Sequence, residues 1–370
     1  MNNLLIAWAF SLIFVVGGIL LLEATYTPGE ETTEATTLAS DTDAQAVEEA
    51  EANSTVTDEV ASGNTGDSAT PNTSPAALPA PGQIVEAQEP NQPSASISIP
   101  QSIPIEAIAE MLEQSNFGPL PIIAEDGRKS SDIYAAPRSH DGNTRRIAIL
   151  LTDLGKKARN TKRAVEDLPA SVSLAFSVYG SGLHEWGQKA RRAGHEVFLA
   201  VPMEPTNYPQ NDPGPLTLLT TQSTRVKLNL LRSSLGKFSG YVGITNLMGS
   251  RFTAASDSIR PILDELKRRG LMFVDNRDSK YSLAASMAQG INMPWAVNNG
   301  YIDNDLNAAS IAAQLAELEK RARAQGTAMG IARAYPVTVR AIQVWAATLE
   351  ERGYSLVPVS SIAGQQALPR

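Results

Sequence analysis

The chain has 370 residues, 39 acidic and 31 basic side chains, a net charge of −8, no cysteine and three histidines, His140, His184 and His195. Without cysteine it can hold no disulfide framework, thiol nucleophile, Cys-ligated zinc or Fe–S cluster, and a site built on several imidazoles would need nearly every histidine. The net charge conceals a division, because residues 1–126 carry 19 acids and no Lys or Arg, whereas 127–370 carry 31 basic and 20 acidic side chains, a net of +11; an acidic arm joins a basic domain, and the two are read separately.

The arm opens on an uncharged apolar run of 19 residues, Leu4–Leu22, which as a helix spans roughly 28 Å, close to the hydrocarbon thickness of a bilayer. It is too long for the core of a cleaved signal, has no basic residue before it, and its best cut, after Ala24, puts Leu22 at −3. Residues 1–23 are therefore expected to be an uncleaved transmembrane anchor. Neither flank carries the Lys or Arg that would fix its orientation, and the large C-terminal part is taken as exported. Residues 24–104 are rich in Ala, Thr, Ser, Pro, Glu and Asp, with Tyr26 as their single aromatic residue. Such a segment buries too little apolar surface to offset its chain entropy and is expected to be a disordered linker with an r.m.s. span of about 50 Å. Residues 105–144 form an entry segment, and Ile103–Glu113, across its leading edge, has the spacing of a short amphipathic helix.

From Arg145 onward the pattern changes. Strand-like runs lie at Ile147–Asp153, Val172–Val178, Glu196–Val201, Tyr241–Thr245, Leu271–Asp275, Trp295–Asn298, Ala328–Ala332 and Ser355–Val359. Helical spacing marks Lys156–Leu168, Leu183–Ala193, Arg225–Leu235, Asp257–Arg269, Ala308–Gln325 and Val337–Glu351. Gly194, Gly270, Gly326 and Gly353 stand where helices should end. The alternation predicts a parallel sheet covered by helices, most economically a closed (β/α) barrel over 145–362, with 363–370 as a tail. The basic clusters Arg191-Arg192, Lys267-Arg268-Arg269 and Lys320–Arg323 end helices, where they offset the helix dipole.

In such a fold the chemistry sits at the carboxyl ends of the strands. Those ends carry Asp153, Glu204 and Asp275 as candidate catalytic carboxylates and Asn246, Arg251, Arg277 and Arg333 as candidate substrate-binding groups. Ser234–Lys237 matches S-x-x-K without its companion motifs and reads as chance. Trp186, Trp295, Tyr301 and Trp345 are aromatic candidates for stacking on a sugar, with core packing as the competing role.

The blocks ILLTDLG, GHEVFLAVPMEP, NDPGP, GYVGITNLMGSRFT, RRGLMFVDNRDS, EKRARAQGTAMG and YSLVPVSS occur in order between about Gly118 and Ile362. Together they resemble the divergent polysaccharide deacetylases, the YibQ-like family. The resemblance implies a distorted (β/α) barrel of the polysaccharide deacetylase type, within the glycoside hydrolase/deacetylase superfamily, and work on carbohydrate in the cell envelope. Together with the expected anchor, it implies a single-pass inner-membrane protein with its C-terminal domain in the periplasm. Its partners would be envelope polysaccharide or peptidoglycan, or another envelope protein, and not nucleic acid.

Active relatives imply a divalent metal held by one Asp and two His, which polarises the N-acetyl carbonyl and activates water. In that family an Asp-Asp pair begins the first motif, and histidines precede the Leu-Pro-Met-Glu-Pro block, follow the Asn of the Asn-His-Met-Gly-Ser block, and stand in an Ile-Gly-His-Pro block. The matching positions here are Thr152-Asp153, Ala200, Leu247 and Arg333. His195 opens a strand about 16 Å from position 200 and reads as structural, His184 begins a helix, and His140 lies in the entry segment. The expectation is a non-catalytic glycan-binding or scaffolding barrel without a resident cofactor. The alternative is a de-N-acetylase with an altered, carboxylate-based cation site at Asp153, Glu204 and Asp275, suited to Mg²⁺ or Ca²⁺.

Overall fold

The computed structural model describes residues 102–137 and 145–368. The chain divides after Gln88 into two units, and every described residue belongs to the second, Glu89–Arg370. The predicted anchor, nearly all of the linker and His140 lie outside the described residues. Among the described residues no helix is long and apolar enough to cross a membrane.

The entry segment forms an antiparallel hairpin, β1 (Leu112–Ser115) and β2 (Gly118–Pro121), followed by a single helical turn, α1 (Ser130–Ile133). The helix expected over Ile103–Glu113 does not form, and only one 3-10 turn, Ala109–Met111, precedes β1. An isolated helix of that length is marginal in water. Pairing with β2 satisfies the backbone of Leu112–Ser115 instead, and Met111 is buried in the core.

Beyond the entry segment each predicted strand and helix forms, with shifts at the ends. The parallel strands are β3 (Arg145–Leu154), β4 (Ser173–Ser177), β5 (Val197–Met203), β6 (Gly243–Met248), β7 (Met272–Asp275), β8 (Trp295–Val297), the two-residue β9 (Gly300–Tyr301), β10 (Thr327–Arg333) and β11 (Tyr354–Leu356). Between them run α2 (Ala158–Asp167), α3 (Leu183–Arg192), α4 (Thr224–Leu235), α5 (Ser256–Arg268), α6 (Ala284–Gly290), α7 (Ala308–Gln325) and α8 (Pro336–Ala346). The sheet order is β8-β7-β6-β5-β4-β3-β10-β9, with β11 beside the start of β3. The sheet is curled but not closed into the barrel expected from the sequence: its edge strands β8 and β9 do not pair with each other, and one stretch of chain bridges them. Asn298 donates its N–H to the Asp275 carbonyl of β7, and the next residue, Asn299, donates to the Met329 carbonyl of β10. Among the described residues after Ile362, Gln366 is buried and bonds both the N–H and the carbonyl of Val297 at 2.8 Å.

A parallel sheet covered on both faces has apolar residues on both, and they divide by parity. Ile147, Ile149, Leu151, Leu174, Phe176, Val197, Leu199, Ile244 and Phe273 pack outward against the helices. Ala148, Leu150, Ala175, Phe198, Val274, Ala296, Met329 and Ile331 fill the inside of the curl. Ile103, Met111, Ile133, Tyr134 and Ala136 of the entry segment belong to the inner cluster too. Two of the arginines expected to offset helix dipoles tie this segment down. Arg191 donates to the carbonyls of Ile105 and Gly240 at 2.9 Å, and Arg269 donates to the Pro121 carbonyl at 2.9 Å. Glu196, just before β5, is wholly buried and joins the entry segment to the closing segment through Ala136, Ser173 and Ser360.

Candidate functional site

Following the inward parity to the carboxyl ends of the strands leads to Thr152 on β3, Ala200 on β5, Leu247 on β6, Asn276 after β7 and Arg333 on β10. All five line one cleft of about 300 Å³, together with Asp153, Asn246, Met248, Asp278, Tyr301 and Asn304. The four positions at which the resemblance looks for metal-site residues thus meet at a single mouth.

Backbone strain concentrates at this mouth. Asp153, Met248 and Arg277 all have left-handed backbone conformations, with φ of 65°, 57° and 53°, at or just after the ends of β3, β6 and β7. Such conformations are costly outside glycine and gather at functional sites. At Asp153 the cause is visible. The register of β3 against β4 shifts between Leu151 and Leu154, and this irregularity turns Asp153 from the outward parity toward the cleft.

The candidate carboxylates do not come together. Asp153 lines the cleft, with its carboxylate on the Lys156 ammonium at 2.8 Å. Glu204 is buried beyond β5 and spends one oxygen on the N–H and hydroxyl of Thr220, at 2.5 and 2.7 Å, and the other on Arg251 at 3.3 Å. Glu204 and Arg251 therefore fasten two loops to each other. Asp275 has the outward parity of Phe273 and accepts from the Arg277 N–H at 2.8 Å and the Ser282 hydroxyl at 2.7 Å; burial pushes its carboxyl up. Neither Glu204 nor Asp275 lines the cleft, nor does Arg277. Among the described residues no group of three or more His, Asp or Glu side chains is placed to hold a metal ion.

Two of the candidate binding groups do reach the mouth. Asn246 accepts from the Asn276 N–H at 2.9 Å and donates to Met248 and, at 3.4 Å, to Asp278. Arg333 is braced by the buried Asp303. Its N–H lies 2.8 Å from one Asp303 carboxylate oxygen, its Nη2 2.6 Å from the Asp303 carbonyl, and its Nε 3.4 Å from the second carboxylate oxygen. Thr338 donates to the same carboxylate at 3.0 Å, and the guanidinium lies over the Tyr335 ring at 5.2 Å. His195 is fully buried at the opposite end of β5, its ring against the carbonyls of Val172 and Val165 at 2.8 and 3.2 Å. His184, at the exposed start of α3, faces Gln188.

Sequence reasoning missed the second acid of the cleft, Asp278. Asp278 accepts a short hydrogen bond from the Tyr301 hydroxyl. Burial raises its carboxyl to about 6, the Tyr301 hydrogen bond works against that rise, and neighbouring Asp275 adds to it. Burial, followed by Asp278 itself, holds the Tyr301 hydroxyl protonated. The available signal was Asp278 in the same block as Asp275, three residues on and of opposite parity. An NMR titration of the Asp278 carboxyl is expected to give a midpoint near pH 6, and a higher one in Tyr301→Phe, which removes the donor to the charged form. The contribution of Asp278 to stability is full below its ordinary value of 3.8 and fades as pH climbs through about 6. A midpoint near 4, or a lower one in Tyr301→Phe, would contradict this environment.

The residues at the mouth do not fit a metal held by one Asp and two His. Of the matching positions only Asp153 carries a ligand atom of that kind, and it is committed to Lys156. Ala200 and Leu247 offer none, and Arg333 is a permanent cation.

Residues 149–363 match the family model for divergent polysaccharide deacetylases. The chain is 27% identical over 198 residues to the uncharacterized protein YibQ of Escherichia coli (strain K12), covering 54% of this chain and 61% of that protein. It is 22% identical over 207 residues to an uncharacterized protein of Haemophilus influenzae, covering 56% of this chain and 72% of that one. The crystal structure of an uncharacterized protein of Agrobacterium tumefaciens C58 superposes with a TM-score of 0.65 at 36% identity, covering 66% of this chain and 99% of that chain.

Proposed function

The chain belongs to the divergent polysaccharide deacetylase family, and from that premise we propose that its barrel mouth binds an envelope glycan, polysaccharide or peptidoglycan, without hydrolysing the N-acetyl amide. One observation carries the reading: the positions of the expected metal site converge on one cleft and present Thr152, Asp153, Ala200, Leu247 and Arg333. Such a wall can grip a sugar. Asn246, Asn276 and Asn304 offer amide donors and acceptors, and Tyr301 offers a ring and a hydroxyl. It lacks the ligands to hold a cation against the amide carbonyl, and the Arg333 charge would oppose one there.

The setting belongs to the same reading. Leu4–Leu22 anchors the chain in the inner membrane, the acidic linker spaces the barrel from it, and the barrel works in the periplasm on polymers within reach, alone or beside another envelope protein.

The test is co-sedimentation of the full-length chain, in neutral detergent, with peptidoglycan sacculi and with chitin, while acetate is assayed in the presence of Zn²⁺, Mn²⁺ or Co²⁺. Retention on one polymer, reduced about tenfold or more by Tyr301→Ala, with no acetate formed, is the expected result. Acetate release abolished by Asp153→Ala would establish a deacetylase instead.

A further inference from the structure

The cleft does not end at the mouth. Beside it lies a smaller pocket of about 110 Å³ lined by Asp153, Lys156, Lys157, Asn160, Arg333, Ala334 and Tyr335. The two depressions share Asp153 and Arg333, so a ligand in the cleft can extend a substituent into the pocket. At roughly 30 Å³ for one water of the liquid, the pocket has room for a group of a few heavy atoms.

Its charge identifies that group. Three cations line the pocket against one carboxylate. Lys156 is neutralised by Asp153 at 2.8 Å, whereas the Lys157 ammonium has no ion-pair partner among the described residues. Asp303, wholly buried, braces the guanidinium of Arg333 through Nε and Nη2 and leaves Nη1 without a partner among the described residues. A braced guanidinium with a donor to spare, next to an unpaired ammonium, loses little freedom when it takes an oxyanion. In the adjoining cleft the remaining acid is Asp278, with its hydrogen bond from Tyr301.

We propose that this pocket takes the anionic substituent, a carboxylate or a phosphate, of a sugar whose ring occupies the cleft, so that the ligand is an acidic glycan. The inference rests on the glycan-binding reading of the same mouth and narrows its ligand class. The polymer is held by its charge at one end and by neutral hydrogen bonds to Asn246, Asn276 and Tyr301 at the other.

Isothermal titration of the full-length chain in neutral detergent tests it with three probes: chitotetraose, which is neutral; a muramyl disaccharide, which bears a lactyl carboxylate; and N-acetylglucosamine 6-phosphate. At least one acidic probe is expected to bind tenfold or more tightly than chitotetraose, and which of the two does so identifies the source of the charge. Lys157→Ala, an exposed change that breaks no internal ion pair, should weaken the acidic probe about tenfold, roughly 1.4 kcal/mol, and leave chitotetraose within twofold, and Arg333→Gln should weaken the acidic probe at least as much. Raising the salt should narrow the preference. If chitotetraose binds as tightly as the acidic probes, or if Lys157→Ala leaves the preference intact, the anionic pocket is refuted while the glycan-binding mouth stands. If none of the three binds, both readings fall.

Discussion

Glu196→Ala is expected to lower the stability of the barrel by about 3–5 kcal/mol, through buried donors left unsatisfied, and its melting temperature by on the order of 10 °C. The carboxylate is fully buried at the amino ends of the strands. It accepts from the N–H of Ala136 at 3.0 Å, the hydroxyl of Ser173 at 3.0 Å, the N–H of Ser360 at 3.2 Å and, at shorter range, the hydroxyl of Ser360. The hydroxyls can rotate to other acceptors, but the two backbone N–H groups cannot. Their loss opens the places where the entry and closing segments meet the sheet. Burial raises the Glu196 carboxyl above its ordinary range, so its contribution is complete at low pH and is lost as pH rises through the folded-state value. Scanning calorimetry of the wild type and Glu196→Gln across pH 4–8 should therefore show the wild type losing ground to the variant as pH rises. An Ala variant as stable as the wild type, or a difference that runs the other way with pH, would contradict this role.

The second large effect is a gain. Ala200 and Leu247 line the cleft with Asp153, so imidazoles at both positions would complete an Asp-His-His set, and three protein ligands are sufficient for a zinc site with an open fourth position. Ala200→His/Leu247→His is therefore expected to retain about one equivalent of Zn²⁺ through dialysis. Lys156 holds Asp153 and Arg333 adds positive charge, and both oppose the ion. Adding Lys156→Ala to the pair should tighten it further. Either histidine alone leaves two ligands and is expected to retain little.

Much of this fold was legible in the sequence because a parallel strand buried on both faces reads as a short apolar run, and a glycine marks the end of several helices. What stayed hidden was shorter than the period that would reveal it. β9 has two residues, and β1 and β2 carry no alternation strong enough to outweigh the helical spacing of Ile103–Glu113. In the site, the strand ends located the mouth, but naming Asp275 overlooked parity: it points outward with Phe273, while Asn276 points in. Asp153 shows the reverse, since its parity alone would turn it away and only the β3 irregularity brings it round. Asp278 and its partner Tyr301 meet across 23 residues of chain, and no local pattern links them. Glu204 was recognisable as polar at a strand end, but its commitment to Thr220 and Arg251 depends on loop geometry that a sequence does not display.

The mouth gathers the positions at which the family resemblance looks for metal ligands, and of these only Asp153 carries one. Zinc content measured side by side on the dialysed wild type and Ala200→His/Leu247→His tests it most directly. The expected result is below about 0.1 equivalent in the wild type and about one in the variant. A full equivalent of tightly held zinc in the wild type, or none in a folded variant, would contradict it.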